Sequence, residues 1–186
     1  MTEMSEMAVV MKLTPIMERY ILHWGEMGAR WGVNRSIAQI HALLFLSPRP
    51  LTAEDISETL TIARSNVSTS LKELQSLNLV SVTHVMGDRR DHFEAEHDPW
   101  QIAFRVVEAR KRREIDPTLT MLRQCLIDAR SEGAEDPQVV ERIESMVEFV
   151  QASNAWYEEV RRLPQPILVK LLKLGAKVAR LIPSRT

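Results

Sequence analysis

Small polar side chains and one lysine recur at helical spacing in the middle of the chain. Ser65, Thr69 and Lys72 are separated by four and three residues, which places them on one face of a helix. Hydroxyl groups on such a face can exchange hydrogen bonds with base edges and phosphates without holding the helix out of a major groove. A plain polar surface helix has the same pattern. The residues of this helix predicted to contact DNA are Arg64, Ser65, Asn66, Ser68, Thr69 and Lys72.

Two adjacent arginines follow in a short glycine-containing segment, Met86-Gly87-Asp88-Arg89-Arg90. Gly87 and Asp88 suit a tight turn between two strands. Arg89 and Arg90 at the tip of such a hairpin are placed to contact phosphates or to enter a narrow minor groove. The alternative is a solvated turn, and the neighbouring polar helix favours the DNA interpretation.

The elements around these side chains indicate a winged helix-turn-helix. Thr52 suits a helix N-cap with Asp55 three residues later, and Leu51 and Ile56 have hydrophobic-staple spacing. A turn near residues 60–63 leads to a second helix with an apolar side. Residues 80–83 and 92–96 alternate in polarity and predict two half-buried strands that form a two-stranded ribbon. The inward residues predicted for the second helix are Val67, Leu71 and Leu74.

Residues 15–100 resemble the MarR-type winged-helix transcription regulators, and most of all their GbsR-like branch. Asp88-Arg89-Arg90 is similar to the wing signature of that family. The resemblance implies that Asp88 orients Arg90 toward double-stranded DNA. It also implies control of genes for the uptake or synthesis of compatible solutes, and a response to choline or a related quaternary ammonium compound.

Composition excludes several other classes of protein. The 186 residues carry a formal net charge of -1, which argues against a non-specific DNA-coating protein. Cys125 is the only cysteine, and the five histidines have no metal-binding spacing, so we expect no disulfide, metal or cofactor. The sequence contains no signal peptide, membrane span or catalytic motif. We therefore expect a cytoplasmic protein that is not an enzyme.

The chain before the winged helix predicts two helices. Thr14 and Pro15 suit the start of the first, which should extend to about Arg30. Gly28 and Gly32 would permit close approach of another backbone. The second helix should begin near Ser36 and bury Ile37, Ile40, Leu44 and Phe45.

The chain after the wing predicts further long helices. Asp98 and Pro99 start one, and Pro117 would either kink it or restart it. The basic run at residues 110–113 could reach a DNA backbone, but a solvated face paired with Glu108 and Glu114 is the simpler interpretation. Apolar stripes follow, at Ile115, Leu119, Leu122, Leu126 and Ala129 and then at Val140, Ile143, Val147 and Val150.

These stripes exceed what one copy of the chain can cover, which predicts a homodimer. The expected fold class is mainly α with a small β-wing, a winged helix-turn-helix domain flanked by long dimerisation helices. Residues 1–33 are predicted to form an N-terminal helix in the dimerisation region, residues 34–97 the DNA-binding domain, and residues 98–186 the C-terminal dimerisation region. Cys125 is expected in the core of this region.

The tail from Ile167 to Ile182 predicts a basic amphipathic helix with Lys170, Lys173, Lys177 and Arg180 along one side. Such a helix suits a membrane surface. The preferred interpretation is a terminal helix packed on the dimer core with its lysines in water.

Aromatic side chains suggest a ligand site. Tyr20, Trp24 and Trp31 share one face of the first helix with Met17 and Met27. Trp156 and Tyr157 lie near the end of a later helix. Such rings could form a cage for a quaternary ammonium cation, although an aromatic stripe at helical spacing also suits ordinary core packing.

Two functions from different classes remain open. The first is a homodimeric, sequence-specific DNA-binding transcription regulator. The second is a winged-helix module for protein interaction or dimerisation without DNA binding. Arg89 and Arg90 favour the first function, because a module that contacts only protein has no need of two arginines at its wing.

Overall fold

The computed structural model describes residues 11–132 and 136–181. It divides the chain into two compact units, one ending at Val106 and the other beginning at Val107. The described residues are mainly helical, with a three-stranded antiparallel sheet in the first unit. This architecture confirms the predicted class, mainly α with a small β-wing.

The first unit has the element order of a winged helix-turn-helix preceded by two helices. Its elements are α1 (Pro15–Arg30), α2 (Arg35–Leu46), β1 (Leu51–Thr52), α3 (Ala53–Leu60), α4 (Arg64–Ser76), β2 (Val80–Thr83), β3 (His92–Ala95) and most of α5 (Pro99–Arg110).

The predicted helix starts are confirmed by side-chain caps. The Thr14 hydroxyl accepts a hydrogen bond from the backbone N–H of Met17 at the start of α1. At the start of α3, Thr52 accepts from the N–H of Asp55, and the Asp55 carboxylate accepts from the N–H of Thr52. Asp98 accepts from Trp100 at the start of α5. A side-chain cap of this kind stabilises a protein by about 1 kcal/mol.

The sheet has three strands, whereas the sequence predicted a ribbon of two. Its order is β1-β3-β2, and β1 pairs with β3 through Leu51 opposite Phe93 and Thr52 opposite His92. A two-residue strand is too short for an alternating pattern to reveal it. Strand β1 pairs with a strand that lies about forty residues later in the sequence.

The two wing strands do not alternate as predicted. Val82 is 36% exposed, because β2 is an edge strand and its end extends into the wing. His92, expected on the opposite face to the buried Phe93, is itself buried because it lies under the turn that joins the strands. The prediction of half-buried strands therefore holds for Val80 but fails for Val82 and His92.

Helix α1 packs on α2 through its glycines. Ile21, Gly25 and Gly28 form the buried line of α1. A Cβ atom at Gly28 would lie 2.6 Å from the Cβ of Ala38, so the prediction of close approach at Gly28 is confirmed. The same prediction for Gly32 was wrong. Gly32 ends the helix at a φ of 78° with open space around its Cα, and it serves the turn rather than the packing.

The core of the first unit holds α4 in place. Val67, Leu71 and Leu74 of α4 are buried, as predicted, so the opposite face of α4 must point outward. Burial of a side chain of this size stabilises the fold by about 1.5–3 kcal/mol. The largest apolar side chains that are fully enclosed are Ile40, Leu43, Leu44, Leu51, Ile56, Val67 and Leu74.

Arg105 ties α5 to the base of the wing. Its guanidinium forms an ion pair with Glu96 at 2.7 Å and donates to the backbone carbonyl of Asn78. Asn78 has a φ of 55°, the left-handed conformation that asparagine tolerates better than most residues. Arg105, in the middle of α5, thereby joins the residues that follow α4 and β3.

The second unit consists of helices. Its elements are the end of α5, a π-helical segment (Lys111–Ile115), α6 (Asp116–Glu132), α7 (Pro137–Val160) and α8 (Gln165–Leu181).

Pro117 is accommodated by the π-helical segment, which resolves the choice between a kink and a restart. Proline has no N–H to donate to the carbonyl four residues earlier, and its ring crowds that carbonyl. The wider turn lets the N–H of Asp116 reach the carbonyl of Lys111, five residues back. The helix therefore continues through Pro117 without a new cap.

Helices α6 and α7 pack on each other. Leu119, Ala129 and Val147 are buried, and Arg130 pairs with Glu144 at 2.5 Å. Cys125 was predicted in the core, and this was wrong. It is exposed, with its Sγ 3.6 Å from the Met121 sulfur, because the packed side of α6 is narrower than its apolar sequence stripe.

Helix α8 begins at Gln165 and buries Leu168, while Lys170 and Lys173 are exposed as predicted. The side chains of Lys177 and Arg180, together with Ile182, lie outside the described residues. Within residues 11–132 and 136–181, no helix has both the length and the apolar character needed to cross a membrane.

Candidate functional site

The outward face of α4 carries the predicted polar residues. Ser65, Ser68, Thr69 and Lys72 are all exposed. The Thr69 hydroxyl donates to the backbone carbonyl of Ser65 at 3.1 Å, so its oxygen lone pairs remain available for a donor on DNA. The structure therefore presents the small hydroxyl groups and the lysine side by side.

Arg64 lies at the first position of α4 and pairs with a residue of the preceding helix. Its guanidinium forms an ion pair with Glu54 of α3, while 71% of the Arg64 side chain stays exposed. The ion pair limits the motion of the Arg64 side chain, and the exposed part of its guanidinium can donate hydrogen bonds to a phosphate. Glu54 is a residue that the sequence did not indicate.

Asn66, also predicted to contact DNA, hydrogen-bonds with protein groups. Its amide nitrogen donates to the Ser36 hydroxyl of α2 at 3.1 Å, and its amide oxygen accepts from the Ser70 hydroxyl at 3.4 Å. These contacts join α4 to the start of α2. Asn66 thus has a positioning role in the free protein, whatever it contacts on DNA.

The wing tip is a tight turn. The N–H of Asp88 donates to the carbonyl of Val85 at 3.1 Å, and Gly87 has a φ of 89°. This is the conformation in which glycine replaces other residues at the third position of a turn. Met86 is fully exposed at the tip, and Arg89 is exposed beside it.

Asp88 holds Arg90 at three atoms. Its carboxylate accepts from the backbone N–H of Arg90 at 3.0 Å, from Nε at 2.9 Å and 3.0 Å, and from a terminal guanidinium nitrogen. These hydrogen bonds keep the pKa of Asp88 well below its usual range and the pKa of Arg90 above its own. Both groups are therefore charged at every physiological pH. The Arg90 side chain remains 46% exposed and presents its free edge to solvent.

The wing and the start of α4 share an electrostatic environment. The carboxylates of Asp55 and Glu54 act on the charge of Arg90, and Glu54 also pairs with Arg64. The two arginines thus lie around one acidic helix start. Both arginine side chains stay partly exposed beside their carboxylate partners, so both can still donate hydrogen bonds to phosphates.

The basic run at residues 110–113 is engaged in ion pairs within the second unit. Arg112 pairs with Glu108 at 2.9 Å, Arg110 lies 3.7 Å from Glu114, and Lys111 lies 3.0 Å from Asp116. These contacts favour the interpretation of a solvated, paired face. Burial would raise the pKa of Glu108, but its contacts with Arg112 and Arg161 hold it below its usual value.

The aromatic residues of the first unit form a stack. The rings of Tyr20 and Trp24 lie 5.5 Å apart and nearly parallel, and Tyr20 also stacks on Phe45 at 6.4 Å. Trp31 is 63% exposed beyond the end of α1. The stack accords with a packing role for Tyr20, while Trp31 keeps most of its ring accessible.

The aromatic residues of the second unit differ in exposure. Trp156 is 68% exposed. The Tyr157 hydroxyl donates to Glu108 at 3.4 Å, and burial raises the pKa of Tyr157. Each unit therefore offers one exposed indole and one packed phenol.

His92 is a side chain of the wing strands that the sequence interpretation placed on the wrong face. Its ring lies 3.0 Å from the carbonyl of Arg90 and 3.5 Å from the Asp88 carboxylate. The four-residue separation from Asp88 was visible in the sequence. That spacing brings two side chains together on a helix, but it predicts no contact in an irregular turn.

Comparison with known proteins agrees with this geometry. A family model described as the MarR family matches residues 31–91. The HTH-type transcriptional repressor GbsR of Bacillus subtilis (strain 168) is 22% identical over 140 residues, covering 74% of this chain and 77% of that protein. The HTH-type transcriptional repressor OpcR of the same strain is 16% identical over 136 residues, covering 72% and 74%.

A solved structure has a similar fold. A crystal structure described as a transcriptional regulator superposes with a TM-score of 0.59 at 17% sequence identity, covering 78% of this chain and 95% of that one. At this identity the likeness concerns the fold alone. It supports the arrangement of helices and wing found here.

Proposed function

We propose that the protein is a DNA-binding transcription regulator of the MarR family, because residues 31–91 match the model of that family. The relatives are named as repressors of transcription. They agree with the prediction that the chain is not an enzyme. A regulator that acts on genomic DNA would work in the cytoplasm.

The proposal rests on the hydrogen bonds by which Asp88 orients the Arg90 guanidinium. Arginine in a narrow minor groove is effective because the groove concentrates negative potential, and a pre-positioned guanidinium loses less freedom on binding. The exposed face of α4 lies in the same unit and presents hydroxyl groups suited to base edges and phosphates. Direct readout by α4 and minor-groove contact by Arg90 would together give sequence specificity.

Selection from a random-sequence duplex library tests the proposal. Wild-type protein should enrich a common sequence over successive rounds, and the enriched duplex should bind far more tightly than a scrambled duplex of the same composition. A protein that enriched no sequence, or that bound both duplexes equally, would have no specific DNA-binding function. That result would favour the winged-helix interaction module.

We also propose that the regulator is a homodimer. Phe149 and Trp156 of α7 are each 68% exposed, and Leu172 of α8 is 64% exposed. Large apolar side chains this accessible on two helices of one unit suit a surface that a second copy covers. A two-fold dimer would present two copies of α4 and the wing to a palindromic operator.

We propose a quaternary ammonium effector on the strength of the resemblance to GbsR-like regulators. The aromatic rings supply the chemistry, because a ring face attracts a cation that cannot form hydrogen bonds. In the first unit Trp31 offers an accessible indole and Trp24 is half-buried beside Tyr20, and in the second unit Trp156 offers an accessible indole. A ligand bound at the rings of either unit would act by favouring one spacing of the two DNA-binding surfaces of the dimer.

A further inference from the structure

His92 contacts both the backbone and the side-chain partner of the wing arginine. It is the first residue of β3, the central strand, and it is 6% exposed. Nδ1 lies 3.0 Å from the carbonyl oxygen of Arg90, and Nε2 lies 3.5 Å from an oxygen of the Asp88 carboxylate. Strand pairing with Thr52 and Thr83 on either side fixes the backbone that carries the ring.

Both ring nitrogens face groups that can only accept. A carbonyl oxygen and an ionised carboxylate have no proton to give, so Nδ1 must donate to Arg90 and Nε2 needs a proton to attract Asp88. The neutral ring can satisfy one of these contacts, and the imidazolium satisfies both. Protonation therefore adds an ionic contact to the carboxylate that holds Arg90.

We propose that His92 is a positioning residue of the DNA-binding wing, which when protonated secures Asp88 and so strengthens the binding of DNA by Arg90. The inference rests on the proposed function. Histidine is the side chain whose charge ordinarily changes near neutral pH. The affinity for DNA should accordingly rise as the pH falls, through this residue.

The other charged groups near the ring do not supply this pH dependence. Asp88 and Arg90 stay ionised because their mutual hydrogen bonds lower the pKa of one and raise the pKa of the other. From α3, the charges of Asp55 and Glu54 act on Arg90. Helix α2, which also packs against β3, carries Arg35 and His41, and burial lowers the pKa of His41 to about 4. Strand β2 has no ionisable side chain.

The test compares His92→Gln with His23→Gln on the duplex enriched by wild-type protein. His23 is an exposed histidine of α1, outside the wing, and serves as the matched control. Between about pH 8 and about pH 6, wild type and His23→Gln should gain affinity by about three- to tenfold more than His92→Gln. The same pH profile for wild type and His92→Gln would overturn the inference.

Asp88→Asn shows whether His92 acts through Asp88. If it does, the double variant His92→Gln/Asp88→Asn should bind no more weakly than Asp88→Asn alone, because the coupling is already lost. Additive losses would mean that His92 acts by another route, and the inference would fail. An equal loss at both pH values, with a lower melting temperature, would indicate a purely structural role and would also overturn it.

A measurement without DNA separates this inference from the proposed function. The Arg90 Nε–H signal in an NMR spectrum should exchange with water more slowly in wild type than in His92→Gln at about pH 6, and His23→Gln should match wild type. Equal exchange rates in wild type and His92→Gln would reject the positioning role even if DNA binding were intact. Slow exchange in wild type without any enriched duplex would support the contact and refute the function.

Discussion

The Arg90 guanidinium is clamped by the Asp88 carboxylate two residues earlier, with Nε at 2.9 Å and 3.0 Å from its two oxygens. The same carboxylate accepts from the Arg90 backbone N–H at 3.0 Å. One acid thus fixes both the main chain and the side chain of the wing arginine. The wing can meet DNA with its cation already oriented.

Replacing Arg90 by alanine should lower the affinity for the enriched duplex by about ten- to hundredfold, because a specific arginine contact is lost. Arg90→Lys should recover only part of it, since an ammonium cannot reproduce the planar fork held by Asp88. Arg19→Ala, which removes the same charge from an exposed position of α1, is the control and should bind as wild type. Gel-shift titration at physiological salt measures all three. Unchanged affinity in Arg90→Ala would refute the role of the wing.

Arg89→Ala/Arg90→Ala should also flatten the salt dependence of binding. Each phosphate contact contributes a slope of about one in a plot of log affinity against log salt concentration. The double variant should therefore lose a slope of about one to two. A slope equal to that of wild type would show that neither arginine neutralises a phosphate.

Local sequence information was sufficient for the helix starts. Thr52 and Asp55 are three residues apart, so their contact depends on short-range geometry that the residue types specify. The buried side of α4 followed in the same way from helical periodicity. The contact between Asp88 and Arg90 was expected from the resemblance to the MarR-type wing signature, and the structure contains it. These are the parts of the fold and the candidate site that the sequence predicts well.

Contacts between distant segments were not accessible to the same reasoning. The pairing of β1 with β3 and the hydrogen bond from Asn66 to Ser36 join residues thirty or more positions apart. The exposure of Cys125 depends on how much of α6 its neighbour covers. In each case the periodic pattern is satisfied by several packings, and tertiary contacts select one of them.

Gly28→Ala should destabilise the protein by about 1–3 kcal/mol, because the added methyl would lie 2.6 Å from the Cβ of Ala38, which has no rotamer to escape into. Gly25→Ala should cost less. Its nearest neighbour is the flexible Gln39 side chain at 2.7 Å, and alanine gains helix propensity of about 1 kcal/mol. Gly175→Ala, in open space on α8, is the control and should be neutral or stabilising. Urea unfolding would contradict this packing if Gly28→Ala were as stable as wild type.

His41 should make the first unit less stable in acid. Burial lowers the pKa of His41 to about 4 from its ordinary 6.5, and Nε2 has no hydrogen-bond partner among the described residues. Between about pH 6.5 and pH 4, His41 is protonated in the unfolded chain but not in the folded chain. The free energy of unfolding is therefore highest above about pH 6.5 and decreases as the pH falls toward 4. The loss should reach about 3 kcal/mol at pH 4.

His41→Leu should flatten this part of the stability curve, because leucine cannot be protonated. His23→Gln, at an exposed position of α1, is the control and should leave the curve unchanged. The measurement is the free energy of unfolding in urea at several pH values. A wild-type curve and a His41→Leu curve of equal slope between pH 6.5 and pH 4 would contradict the assignment.

Phe149→Glu should convert the protein from dimer to monomer at micromolar concentration. The Phe149 side chain is 68% exposed, so a carboxylate there costs the single chain little but would be desolvated in an interface. Val85→Glu, on the wing and outside the predicted dimerisation region, is the control and should remain dimeric. Sedimentation velocity distinguishes the species. A folded wild-type monomer at micromolar concentration would refute the homodimer.

Choline should change the tryptophan emission of the protein if the aromatic residues bind a quaternary ammonium cation. A cation held against an indole face alters the surroundings of that ring. Trp24→Leu removes the indole that stacks on Tyr20 at 5.5 Å, and Trp156→Leu removes an exposed indole of α7. Either variant should weaken the response if its indole belongs to the site. Trp100→Phe is the control, since Trp100 packs on Phe104 outside the proposed set of rings, and it should keep the response.

The same titration with glycine betaine tests selectivity, because its carboxylate is repelled by the ring faces that attract its ammonium group. A true effector must also alter DNA binding, since only a ligand with different affinities for two states can shift them. Choline should therefore change the affinity for the enriched duplex in wild type and less so in Trp24→Leu. Constant emission up to millimolar ligand, with DNA binding indifferent to both compounds, would assign these rings to packing and leave the effector proposal without support.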